Sequence, residues 1–139
     1  MGIKDMARLQ ELKQRRDVAG LLATLEDEER SGTERRFAAA ALGDLQARRA
    51  VAPLVAVLDD PDLWQHAMQA LVKIGDPVAA APLVELMYTT TDRFTRKKVR
   101  KALKQLHDKD PDEVRAVLDA YEEARERREA RRESRRRRR

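Results

Sequence analysis

The sequence predicts an all-α chain built from about four copies of one helix pair, about eight helices, ending in a protruding charged C-terminal helix. Three observations lead there. The tetrapeptide APLV occurs at 52–55 and again at 81–84, 29 residues on, and the same offset pairs Ala38 with Ala67, Ala41-Leu42 with Ala70-Leu71, Leu45 with Ile74 and Leu58 with Met87. A fixed period of this size marks a repeated structural unit. Apolar residues within each copy recur at intervals of three and four, as in Leu63, Ala67, Ala70 and Ile74, which is the helical period. No stretch alternates apolar and polar residues as a half-buried strand does.

The copies extend in both directions. Ala102-Leu103 and Leu106 stand 32 residues after Ala70-Leu71 and Ile74, and Leu9, Leu12, Ala19, Leu21 and Leu25 stand 33 before Leu42, Leu45, Ala52, Leu54 and Leu58. Helices are expected near 3–14, 17–28, 32–46, 48–59, 61–74, 77–90, 92–107 and 111–132. Asp60-Pro61, Asp76-Pro77 and Asp110-Pro111 each set a side-chain acceptor before a proline, whose missing N–H loses nothing in a first turn. Ser31 with Glu34, and Asp110 with Glu113, have capping-box spacing, and Gly75 suits a helix C-terminus. Pro53 and Pro82 fall early in the second helix of their copies, where each either bends the helix or marks its start. A lone helix pair cannot bury its apolar stripe, so neighbouring copies must do so, and Ala38 to Ala41 and Ala79 to Ala81 let helices approach closely. Trp64, at helical spacing with Met68 and Leu71, is assigned to this core, together with Phe37, Phe94, Tyr88 and Tyr121.

The stretch RRFAAAALGDLQARRAVAPLVAVLDDPD resembles a HEAT-type repeat of the short, PBS-lyase-like kind, in which Arg, paired alanines, Ala-Leu-Gly and Ala-Val-Pro-Leu recur. The resemblance runs over roughly 6–118 and is best in the two middle copies. In the last copy Val99, Arg100 and Lys101 stand where Ala38, Ala39 and Ala40 stood. The resemblance implies an α-solenoid, with helix pairs stacked in series, one layer convex and the other concave. The expected division is a HEAT-like solenoid over 1–121 and an Arg-rich tail over 122–139.

Charge is distributed unevenly. The formal net charge is +5, and 122–139 alone holds ten Arg and five Glu, so the preceding chain is neutral overall. Turns within the first copies are basic (Lys13, Arg15, Arg16, Arg48, Arg49) and turns between them acidic (Glu26, Asp27, Glu28, Glu29, Asp59, Asp60, Asp62), which predicts two rims of opposite sign. The preference of acids for helix N-termini and bases for C-termini explains part of this without any partner. The seventh helix carries Arg93, Arg96, Lys97, Lys98, Arg100, Lys101 and Lys104 in the run RFTRKKVRKALK, with no acid among them. Arg93, Lys97, Arg100 and Lys104 should form one stripe, opposite an inward face of Val99, Leu103 and Leu106. The eighth helix should project to about Glu133 and then fray through Ser134 and the arginines. Together with Arg131, Arg132, Arg135, Arg136, Arg137, Arg138 and Arg139 of the tail, Arg93, Arg96, Lys97, Arg100, Lys101 and Lys104 are the candidate residues for an anionic partner. With only 4% aromatic residues the chain favours phosphate contact over base stacking.

Several function classes find no support in these residues. The chain has no cysteine, and its two histidines, His66 and His107, lie in different copies outside any metal-ligand spacing. The glycines are scattered, with no phosphate loop. The longest apolar run, AVAPLVAVL, is too short to span a membrane, and MGIKDMARL has no apolar signal region. The expectation is a cytoplasmic, non-enzymatic scaffold or adaptor without cofactor, catalytic residue or metal, binding another protein through its solenoid surface. The alternative is nucleic-acid or ribonucleoprotein binding through the seventh helix and tail. Head-to-tail self-association, the tail of one copy meeting the acidic rim of another, is a third possibility.

Overall fold

The computed structural model of the chain describes residues 2–139. Among these every regular element is helical: α1 (Ile3–Gln14), α2 (Val18–Glu26), α3 (Gly32–Asp44), α4 (Val51–Ala56), α5 (Trp64–Ile74), α6 (Ala80–Thr89), α7 (Arg93–Lys109) and α8 (Pro111–Arg137). The helices fall into two layers. First helices α1, α3, α5 and α7 pack in series, and second helices α2, α4, α6 and α8 lie beside them, each pair packed on the next. The apolar stripes meet between the layers, where Leu21, Leu25, Leu42, Leu54, Leu71, Leu83 and Leu106 are fully buried. This is the all-α solenoid that the repeat period predicts.

The small-residue positions act where helices cross. A Cβ added to Gly43 would lie 2.7 Å from Ala70 Cα and 2.8 Å from its Cβ, so α3 and α5 touch nearly backbone to backbone. Turns within the first three units repeat as well. Arg16, Gln46 and Gly75 each take positive φ (56°, 50° and 75°), the left-handed conformation that ends the first helix. Asp17 N–H donates to Leu12 O at 2.9 Å and Ala47 N–H to Leu42 O at 3.1 Å, which closes the Schellman pattern in the two units lacking the glycine.

Several boundaries differ from expectation for local reasons. Asp60 does not cap α5 directly: its side chain accepts from Asp62 N–H at 2.8 Å, its carbonyl from Leu63 and Trp64, and the helix starts three residues beyond Pro61. The second helices of the middle units open with 3₁₀ turns, Arg48–Ala50 and Pro77–Ala79. Pro53 and Pro82 are the third residues of α4 and α6, so they sit where no N–H bond is required and mark helix starts without bending them. Ser31, Asp92 and Asp110 cap α3, α7 and α8. Glu34, nearly buried, accepts from Ser31 Oγ at 3.2 Å and from Arg30 at 3.3 Å.

Two expectations about side chains and one about the tail are corrected. Phe37 and Trp64 pack against the core, but Phe94 is 76% and Tyr88 49% exposed. Phe94 lies on the first turn of α7, past the last residue that α5 can cover, and Tyr88 lies at the end of α6. The tail does not fray at Ser134, since α8 runs on to Arg137. Arg125–Glu129 (3.3 Å), Arg127–Glu123 (3.6 Å) and Arg137–Glu133 (2.9 Å) are spaced i, i+4 along it. Arginines in the last turn also complement the helix dipole.

Candidate interaction surfaces

Both rims are more evenly charged than the turn sequences suggest. On one, Asp44 bridges Lys13 at 2.8 Å and Lys73 at 2.6 Å, tying three units together, and Arg48 approaches Asp76 at 3.9 Å. Hydrogen bonding to Lys13, then to Lys73, holds the Asp44 carboxyl below the usual carboxylate range. On the other rim Arg30 meets Asp27 at 3.4 Å, and Arg35 meets Asp60 at 3.8 Å and donates to Leu25 O. Lys13, Arg48 and Asp60 thus bind neighbouring repeats, while Arg16, Arg49, Glu26, Glu28, Glu29, Asp59 and Asp62 have no ion pair within 4.0 Å among the described residues.

Helix α7 is different. Val99, Ala102 and Leu106 are buried and Leu103 is half-buried, as its periodicity predicts. Of its cations only Lys104 finds a carboxylate, Asp108 at 3.1 Å. Among the described residues Arg93, Arg96, Lys97, Lys98, Arg100 and Lys101 have none within 4.0 Å. The four residues of the predicted stripe, Arg93, Lys97, Arg100 and Lys104, are all exposed, and of them only Arg100 borders a cleft. Lys97 and Lys104 face outward, whereas Arg96 and Arg100 line a cleft of about 520 Å³ between α6, α7 and α8, with Val84, Met87 and Leu118. Lys98 and Lys101 turn toward α5.

There they line a second groove of about 440 Å³ with Gln65, Gln69, Lys73 and Gln105 over Met68, Val72 and Ala102. Lys98 Nζ donates to Gln65 Oε1 at 3.1 Å and lies 6.0 Å from the Trp64 ring centroid. The repeat offsets explain the groove. Val72 occupies the place of Gly43, and Ala102 that of Ala70, so a branched side chain stands where the preceding seam had none. Lys73 and Gln105 occupy the place of Asp44, so the carboxylate that closes the preceding seams is missing. No acidic side chain lines this one.

The arginine-rich part of α8 leaves the body at a latch that the sequence did not disclose. Tyr88 and Tyr121 stack with centroids 6.4 Å apart, and Arg125 Cζ lies 3.8 Å over the Tyr88 ring. Tyr88 donates to Glu122 at 3.0 Å, and the Tyr121 hydroxyl donates to Glu85. Burial, then the bond to Glu85, pushes the Tyr121 hydroxyl up to about 12. Arg128 and Arg132 still border the tyrosine pair, and Arg131, Arg132, Arg135, Arg136, Arg137, Arg138 and Arg139 are all exposed. From Glu122 the helix extends roughly 24 Å at the helical rise. The only signal for the latch was Tyr88 and Tyr121 themselves, which read as core.

The second helices of the first three units, α2, α4 and α6, have the opposite character. Across the 9, 6 and 10 residues of α2, α4 and α6 the only charged side chains are Glu26 and Glu85, in a chain that is 40% charged. Ala19, Ala23, Ala52 and Ala56 are exposed and, by the repeat offsets, align across neighbouring units. Beside them Val55, Leu58, Pro82 and Leu86 line a shallow cleft of about 300 Å³ between α4 and α6.

Neither surface gathers the groups of a catalytic or metal centre. Among the described residues no three His, Asp or Glu side chains converge as a metal site would require, and His66 and His107 lie on separate helices. Among the described residues no helix is long and apolar enough to cross a membrane. The profile of the HEAT repeats family matches residues 18–104, from the start of α2 into α7. No curated protein matches the chain significantly. With more than half of its length matched, and paired helices stacked in register over the same span, the chain belongs to the HEAT-repeat family.

Proposed function

We propose that this protein is a non-enzymatic interaction module whose protein partner docks on the layer of second helices, with the basic arm of α8 as a secondary contact. HEAT repeats in general mediate protein–protein interaction. The observation that carries the reading here is the charge-poor ladder of exposed alanines over α2 and α4, continued by the apolar cleft against α6. The cores of protein interfaces are depleted in charge, and small side chains let a partner's larger ones reach the helix backbone.

The test is affinity capture with wild-type protein and with Ala23→Asp, Ala52→Asp and Ala56→Asp combined. All three positions are exposed, so the core is untouched. Partners of this face are released by the triple variant but retained by a chain whose α7 lysines are changed. If the triple variant retains the same partners, binding does not use this face.

A further inference from the structure

We propose that the groove between α5 and α7 binds single-stranded nucleic acid, with Lys98 and Lys101 on the phosphates and Phe94 as a stacking platform for a base. This site lies on the layer of first helices, away from the protein-docking surface, and does not depend on it. Four observations converge. The groove is lined by lysines and glutamines with no carboxylate, whereas the preceding seams of the same layer are bridged by Asp44. Lys73 is already engaged by Asp44 at 2.6 Å, which leaves Lys98, hydrogen-bonded only to a neutral glutamine amide, and Lys101 for an external anion. Gln65, Gln69 and Gln105 add amide groups that can both donate to phosphate oxygens and meet base edges.

The fourth observation selects the class of polymer. Phe94, Lys98, Lys101 and Gln105 are spaced i, i+4, i+7 and i+11 and so share one face of α7. Phe94 is 76% exposed at the open end of that face. An aromatic ring in line with two unpaired cations suits a strand whose bases are free to stack, because every base offers a π-face and the backbone follows the charges. A duplex hides those faces. An anionic membrane would need several apolar anchors along the helix, and this face offers one.

The test is fluorescence anisotropy of the full chain with mixed-sequence RNA and DNA strands of roughly 12 nucleotides, which exceed the roughly five that the face from Phe94 to Gln105 spans. A matching duplex and vesicles containing phosphatidylserine serve as competitors. The expected result is a preference for single strands, about tenfold weaker binding for Phe94→Ala, and for Lys98→Gln with Lys101→Gln a salt slope shallower by about 1.4. RNA binding tighter than DNA, or the reverse, identifies which strand the groove takes, and either supports the proposal. It is overturned if no oligonucleotide binds, if duplex or vesicles displace the strand equally well, or if binding ignores Phe94, Lys98 and Lys101 and follows only substitution of the α8 arginines. Circular dichroism of each variant guards against misfolding, which exposed positions should not cause.

Discussion

The seam between α3 and α5 and the seam between α5 and α7 are built from equivalent positions and come out differently. The first is shut: Gly43 lies against Ala70, and Asp44 bridges Lys13 and Lys73. The second carries Val72 and Ala102 at the contact, Lys73 and Gln105 in place of the acid, and remains a groove. A helical repeat can therefore keep its core and change what a seam offers by altering two positions per unit. Stability resides in what the units share, and binding character in how they differ.

Breaking the closed seam should have the largest effect. Gly43→Ala brings a methyl group against the backbone and Cβ of Ala70, and the overlap outweighs the gain in helix propensity. The expected loss is about 2 kcal/mol, seen as a lower thermal midpoint. Next in size is the turn that ends α5. Gly75→Ala forces a side chain into positive φ, with its Cβ 3.3 Å from Lys109 Cδ, and should cost about 1 kcal/mol in denaturant titration. At the equivalent turn of the preceding unit, Gln46→Gly relieves left-handed strain but loses the bond that Gln46 Nε2 donates to Lys73 O at 3.1 Å, so it should cost about 0.5–1 kcal/mol.

Smaller effects come from the bridge and the latch. The Asp44 carboxyl is held below its ordinary range in the folded chain, so its stabilisation is full above the unfolded value near 3.8 and is lost as pH falls below that. Asp44→Asn should remove this part of the acid limb in a series of thermal melts and cost under about 1 kcal/mol at neutral pH, because the bridge is solvent-exposed. The Tyr121 hydroxyl is raised instead, from 10.0 to about 12, so its contribution is intact below 10 and fades as pH rises through that interval. The bond to Glu122 raises the Tyr88 hydroxyl as well, so tyrosinate absorbance should show both rings titrating late, Tyr121 the later. Tyr121→Phe should erase the later signal and speed amide exchange at the start of the α8 arm, with little change in global stability.

The fold was legible because its period is written in residues that cannot vary freely. Leu54 and Leu83 of the two APLV copies, and the leucines at equivalent offsets, are buried in the core that the units share. Ser31, Asp92 and Asp110 cap as acceptors at helix starts do, whereas Asp60 caps a turn that precedes α5, which begins only at Trp64. The surfaces were less legible. The basic run of α7 was visible, but its division between two grooves depends on which neighbour each side chain meets. Phe94 and Tyr88 were assigned to the core on composition, although helix ends leave aromatic residues uncovered. The alanine ladder of the second helices read only as packing, since an alanine fits a core and a bare surface equally well.

The comparison of the two seams is tested most directly by restoring the missing acid. Gln105→Asp sets a carboxylate among Lys73, Lys98 and Lys101, as Asp44 stands between Lys13 and Lys73. Single-strand oligonucleotide affinity, measured for this variant and for wild type at matched salt, should fall by about tenfold while helical content is unchanged. A variant that binds the strand as tightly as wild type would contradict the account and move the anion contact off this seam.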